Sequence, residues 1–146
     1  MNPRTTLLLA ALALLLSACG SGPTRKVHPS TASIQQLIVQ ADGSWKITLR
    51  IQNFSTMPMH YSKLKANVLI AGAEAGDIDI TPDIDIVSSN GDVIDATLRT
   101  SAKLPPTGDF AYQLKGRIDT SEPKESFEFD RSSRLSPVPG VPNTYR

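Results

Sequence analysis

Chemistry in a polypeptide needs nucleophiles, bases or soft donors held close together, and this sequence carries few of them. Its single cysteine is Cys19 and its two histidines are His28 and His60. A Ser or Cys nucleophile needs a base beside it. His28 falls in a stretch of Gly, Ser, Pro and Thr, and the residues around His60 have no triad-like order of Asp and Ser. Met57, Met59 and His60 form a soft donor set of the kind that holds Cu(I). Thioethers also fill irregular gaps at the end of a sandwich, and packing is the role expected of both methionines. Asp77, Asp79, Asp83 and Asp85 alternate with Ile78, Ile80, Ile84 and Ile86. Calcium takes roughly six to eight oxygens from loops that wrap it, whereas two-residue alternation lays acids along one wet face, where they discourage edge-to-edge pairing. Trp45 and Tyr61 are the candidates for an aromatic platform, and core packing is the expectation for both. The sequence contains no glycine-rich phosphate loop, no zinc-spaced Cys/His set and no basic patch interleaved with aromatics. The expectation is a non-enzyme without catalytic residues, resident metal or cofactor, and without a small-molecule ligand.

Cys19 is the residue whose neighbours point to a reaction. Arg4 puts a positive charge near the start, Leu7 to Leu16 is an unbroken run of ten Leu and Ala, and Ser17, Ala18 and Cys19 follow at once. A spanning helix needs about twenty apolar residues, and Gly20 to Lys26 is too polar to lengthen the run. A signal peptide is therefore expected in place of a permanent transmembrane anchor. Leu16-Ser17-Ala18-Cys19 resembles the bacterial lipobox, in which the cysteine thiol takes a diacylglyceryl group before cleavage on its N-terminal side. Ser17 and Ala18 are small enough for the peptidase cleft. The resemblance implies that residues 1–18 are removed and that the chain's added group is a covalent lipid on Cys19. Each buried methylene contributes about 0.8 kcal/mol and one myristoyl chain binds only marginally, so several chains on one cysteine hold a protein stably. Gly20-Ser21 lacks the aspartate that signals inner-membrane retention, which implies the outer membrane, facing the periplasm. Once Cys19 is acylated no thiol remains and no disulfide can form.

The elements that position these residues are written with a period of two. Trp45, Ile47, Leu49 and Ile51 alternate with Lys46, Thr48, Arg50 and Gln52, the pattern of a strand with one buried and one wet face. Leu64, Ala66, Val68 and Ile70 repeat it, as do Ile94, Ala96 and Leu98, and then Phe110, Tyr112, Leu114, Gly116 and Ile118. Shorter candidates span 34–39, 78–80, 84–87 and 127–129. Asp42-Gly43 and Asn90-Gly91 supply the positive φ angles of tight hairpins, and Pro82 must sit at an edge, bulge or turn. Seven or eight short strands at this spacing predict an all-β antiparallel sandwich. Residues 19–32 read as a flexible tether and residues 132–146, with Pro137, Pro139 and Pro142, as a disordered Pro-rich tail. One domain over 33–131 suits the 146-residue length. The chain has 15 Lys and Arg against 14 Asp and Glu, and loss of Arg4 balances them. A balanced domain has no electrostatic footprint for nucleic acid, although the absence of Lys and Arg between Lys65 and Arg99 makes that region acidic.

From Trp45 to Leu98 the chain resembles the late embryogenesis abundant type 2 family, also called the water-stress and hypersensitive-response (WHy) domain. The likeness lies in the strand ending at Asn53, in Pro58-Met59-His60-Tyr61, in the strand through Leu64, Ala66, Val68 and Ile70, and in Gly72 and Gly76. Members commonly carry Asn-Pro-Asn where this chain has Asn53-Phe54-Ser55. The resemblance implies an immunoglobulin-like or fibronectin-like sandwich of about seven strands and a non-catalytic role linked to desiccation or other stress. The expected protein is thus a lipid-anchored envelope protein that protects proteins or the envelope, with a membrane and other envelope proteins as its partners. The alternative is a structural docking subunit of an envelope transport or assembly complex; a third class is a small-ligand or metal carrier.

Overall fold

A computed structural model describes Gly20 and residues 22–146. Residues 1–18 and the lipobox, including Cys19, lie outside the described residues. All regular structure among the described residues is strand: β1 (Thr31–Val39), β2 (Trp45–Gln52), β3 (Met59–Ile70), β4 (Ala73–Ile80), β5 (Ile84–Ile86), β6 (Gly91–Leu98), β7 (Phe110–Glu122), β8 (Lys124–Leu135) and β9 (Thr144–Tyr145). They form two antiparallel sheets, β6-β2-β1-β9 and β4-β3-β7-β8, with β5 also on β3. The fold is the expected all-β sandwich, with nine strands in place of about seven.

Alternation fixes which side chains meet between the sheets. Ile47, Leu49 and Ile51 of β2 face Leu64 and Val68 of β3 and Leu114 and Ile118 of β7 across a shared core, all of them fully buried. Burying each such side chain stabilises the fold by about 1.5–3 kcal/mol. The parity of the apolar positions changes on β1, β3 and β4, and each change is absorbed by one extra residue. On β3 the buried set passes from Met59 and Tyr61 to Leu64 and Ala66, and the pairing with β7 slips between Tyr61 and Lys63. Ser62 fills that bulge by donating from Oγ to the Asp119 carbonyl at 3.2 Å. On β1 the buried set passes from Ile34 to Leu37, with the slip between Ile34 and Gln36. A bulge keeps a long strand inward-facing where strict alternation would turn its apolar side chains to water.

Turn chemistry decides the connections. Gly43 (φ 83°) closes the β1–β2 hairpin, and the Asp42 carboxylate accepts hydrogen bonds from Ser44 N at 2.9 Å and Ser44 Oγ at 2.6 Å. These bonds hold its pKa below the usual value. Ala71 (φ 49°) and Gly72 (φ 81°) form a two-residue turn between β3 and β4. Asn90-Gly91 departs from expectation: β5 lies in one sheet and β6 in the other, so the dipeptide carries a crossover and makes no hairpin. Gly91 lies directly against β2, where an added Cβ would stand 2.7 Å from Gln52 Oε1 and 2.9 Å from the Ile51 carbonyl. Pro82 sits in the break between β4 and β5, which lie end to end along one edge of β3. At Gly116, paired with Ala66, a Cβ would stand 2.0 Å from the Lys65 carbonyl.

Residues 24–32 and 132–146 are more ordered than their composition suggests. The expected disordered tail over 132–146 is corrected: β8 runs to Leu135, and the last residues fold back so that β9 pairs with β1. Ser136 and Arg146 exchange backbone bonds of 2.6 and 2.9 Å, and Val39 N donates to the Asn143 carbonyl at 2.9 Å. Tyr145 packs edge-on against Phe110 with ring centroids 5.2 Å apart. Pro137 opposes Tyr145 in an isolated bridge whose bonds come from its neighbours, Arg146 N to the Ser136 carbonyl and Val138 N to the Thr144 carbonyl, both at 2.9 Å, so its missing N–H is not needed there. The expected tether ends sooner than residue 32, because β1 begins at Thr31, and residues from Thr24 onward are bonded to the domain.

Candidate functional site

The segment between β2 and β3 forms one pole of the sandwich, and Asn53 organises it. Asn53 is fully buried, and its side-chain amide donates to the carbonyls of Met57 at 3.0 Å, Ile86 at 3.0 Å and Val87 at 3.2 Å. Its Oδ1 accepts from Ser55 N at 2.8 Å, the Asx turn that Asn followed two residues later by Ser favours. One side chain thus ties the end of β2 to the start of β3 and the end of β5. A carboxylate here would have no N–H to offer the three carbonyls.

The turn in turn holds the incoming arm. Lys26 N donates to Thr56 Oγ1 at 2.8 Å, Thr56 N to the Lys26 carbonyl at 3.0 Å, and Thr56 Oγ1 to the Thr24 carbonyl at 2.8 Å. His28 N donates to Ser55 Oγ at 2.9 Å, and Ser55 Oγ lies 3.0 Å from Met59 Sδ. Ser30 Oγ and Tyr61 Oη share a buried hydrogen bond of 2.7 Å, and burial raises the Tyr61 pKa. The arm residues from Arg25 to Pro29 are themselves exposed.

The proposed donor set of Met57, Met59 and His60 does not converge. Adjacent strand residues point to opposite faces: Met59 is buried among the core side chains, whereas His60 faces outward. His60 Nδ1 lies 2.8 Å from Asp85 Oδ1 and Nε2 lies 3.1 Å from Asp83 Oδ1. Both bonds form together only when both ring nitrogens carry hydrogen, which is the charged imidazolium. The hydrogen bond that His60 donates to Asp85 is the main cause that raises the His60 pKa, partly opposed by desolvation. The two carboxylates hold opposite ring nitrogens, so the arrangement is a clasp between β5 and β3. Among the described residues no group of three His, Cys, Asp or Glu is placed to hold a metal ion.

Trp45 and Tyr61 are core residues, 2% and 0% exposed, and form no platform. Gly72 serves the turn described above, and Pro58 is exposed at the entry to β3. The alternating acids lie along the β4–β5 edge. Asp79 pairs with Lys63 and, at 3.4 Å, with Lys65; the Lys63 bond is the main cause that lowers its pKa. Asp77 accepts from Asn67 Nδ2 at 3.0 Å. A shallow groove of about 900 Å³ crosses the outer face of this sheet, with Gly116 and Ala66 in its floor. Charged groups on its walls pair across the strands, as Lys65 does with Asp79 and Lys115 with Asp130 at 3.4 Å. Sequence reasoning singles out Asn53 and Tyr61 but misses Ser30, Ser55 and Thr56, whose partners are about 30 residues away in the chain. The Asn53-Phe54-Ser55-Thr56 run was the local signal of a turn with spare hydroxyls.

No family model matches the chain, and no curated protein matches it. Among solved structures, a solution structure of a protein from Arabidopsis thaliana is similar over 84% of this chain and 87% of that one, with 10% identity and a TM-score of 0.51. A crystal structure of a protein from Archaeoglobus fulgidus covers 77% of this chain and 98% of its own, with 13% identity and a TM-score of 0.43. At these identities the first likeness speaks to the fold alone.

Proposed function

We propose that this is a lipid-anchored, non-enzymatic protein of the bacterial envelope, held through acylated Cys19 on the periplasmic face of the outer membrane. Its LEA type 2-like domain protects neighbouring proteins or the envelope during water loss and related stress. The observation that carries this reading is the register of Arg4, the apolar run and Leu16-Ser17-Ala18-Cys19. The sandwich fold agrees with the resemblance of Trp45 to Leu98 to that family, and the bonded arm suits a domain suspended from its N-terminus. The test has two parts. Wild-type protein should float with membranes and Cys19→Ala should not. A deletion strain should lose viability on drying relative to its parent, and the purified protein should preserve a test enzyme through dehydration. Unchanged survival together with no protection of the enzyme refutes the protective role.

One observation favours a second reading, a docking subunit of an envelope complex. β8 is the terminal strand of its sheet and runs for 12 residues, and such an edge offers backbone groups to an added strand. Cross-linking in cells separates the two, because one stoichiometric partner supports docking and many weak clients support protection.

A further inference from the structure

We propose that the pole holding the N-terminal arm is a lipid-docking surface, with Val27, Phe54 and Val87 seated at the boundary between headgroups and acyl chains and Arg25 and Lys26 beside the lipid phosphates. This rests on the anchoring through Cys19 proposed above and goes beyond it by fixing which face of the domain meets the bilayer. Val27, Phe54 and Val87 are 36%, 51% and 56% exposed. Scattered exposed apolar residues are ordinary on a soluble surface. These three are gathered by the bonds already described. Val27 lies between Lys26, bonded to Thr56, and His28, bonded to Ser55; Phe54 precedes Ser55; and the Val87 carbonyl accepts from Asn53.

The length of chain outside the bonded arm names the occupant. From Thr24, fastened to Thr56, five residues lead back to Cys19, and five residues reach at most about 17 Å when extended. A lipid on Cys19 therefore keeps this pole within that distance of the bilayer. The opposite pole, where Val141 is also exposed, lies at the far end of strands such as the 13-residue β7, about 40 Å away. The arm pole also carries Asp83, Asp85 and Asp92, the first two shared with His60. A strongly anionic surface would be repelled by them, so the surface that fits is zwitterionic phospholipid, contacted mainly through apolar burial.

Full-length, processed protein is reconstituted in vesicles of phosphatidylethanolamine and phosphatidylcholine, part of the latter carrying brominated acyl chains. Tryptophan is introduced as Phe54→Trp, Val87→Trp or Val141→Trp, over the constant background of buried Trp45. Apolar groups seated at the interface lie about 5–10 Å into the headgroup and acyl boundary, so bromolipid should quench the added fluorescence at the first two positions and leave the third unchanged, in high salt as in low. The two arm-pole variants guard against one of them failing to fold. Protein that floats with the vesicles yet shows no quenching at the arm pole, or equal quenching at Val141, overturns the proposal. Protein that fails to float refutes the anchoring instead, and the docking falls with it.

Discussion

Asn53 and Ala71 show how much one side chain decides in this fold. The Asn53 amide answers three carbonyls and its oxygen answers one N–H, all at the junction of β2, β3 and β5. Leaving a buried polar group without its partner costs about 1–3 kcal/mol. Asn53→Ala should therefore lower unfolding free energy by about 3 kcal/mol, read as a lower midpoint in urea, and Asn53→Asp should lose more. A loss within experimental error in both variants would show that the pole holds together by other means. Ala71 works in the opposite direction. It sits at φ 49° in the turn to β4, where an L side chain other than Asn or Asp costs about 1–2 kcal/mol. Ala71→Asn places Asn-Gly in the turn that favours it and should stabilise the protein by about 1 kcal/mol, measured in the same titration.

At the scale of elements, alternation made most strands legible. Trp45 to Gln52 could be read directly because one face is buried and the other wet along its whole length. The parity change between Tyr61 and Leu64 is also visible in the residues, although only the pairing with β7 shows that a bulge resolves it. Other features were hidden by long-range partners. Asn90-Gly91 has hairpin composition, yet its flanking strands belong to different sheets. The Pro-rich tail looks unstructured until Tyr145 meets Phe110 and β9 meets β1. Removing the residues after Ser136 should uncover that edge and lower stability by about 3 kcal/mol, seen as a reduced thermal midpoint; an unchanged midpoint would return the tail to the unstructured class. The β5 clasp predicts a dependence on pH. His60 has a raised pKa because charged imidazole is held by Asp85 and Asp83. Its stabilisation is complete below the ordinary value of 6.5 and is lost as pH rises through the raised one. Amide protection factors at Ile84–Ile86 should fall over that window in the wild type. They should stay low and flat in Asp85→Asn, and a flat wild-type profile would contradict the clasp.

The whole molecule is a sandwich whose two poles differ. One is closed by hairpins and the folded-back C-terminus, and the other receives the N-terminal arm on Ser55 and Thr56. This asymmetry suits a domain hung from a membrane by one end, with its charged sheet faces turned to the surrounding space. Nothing in the strand pattern reveals the fastening of the arm, because the hydroxyls of Ser55 and Thr56 that make it are far along the chain from the backbone they hold. The proposed address rests on a separate part of the sequence, the run into Cys19. Intact-mass and N-terminal peptide mass spectrometry of the mature protein tests that address most directly. The account predicts a chain that begins at Cys19 and carries thioether-linked diacylglyceryl; a free thiol on Cys19, or a chain that retains residues 1–18, would contradict it.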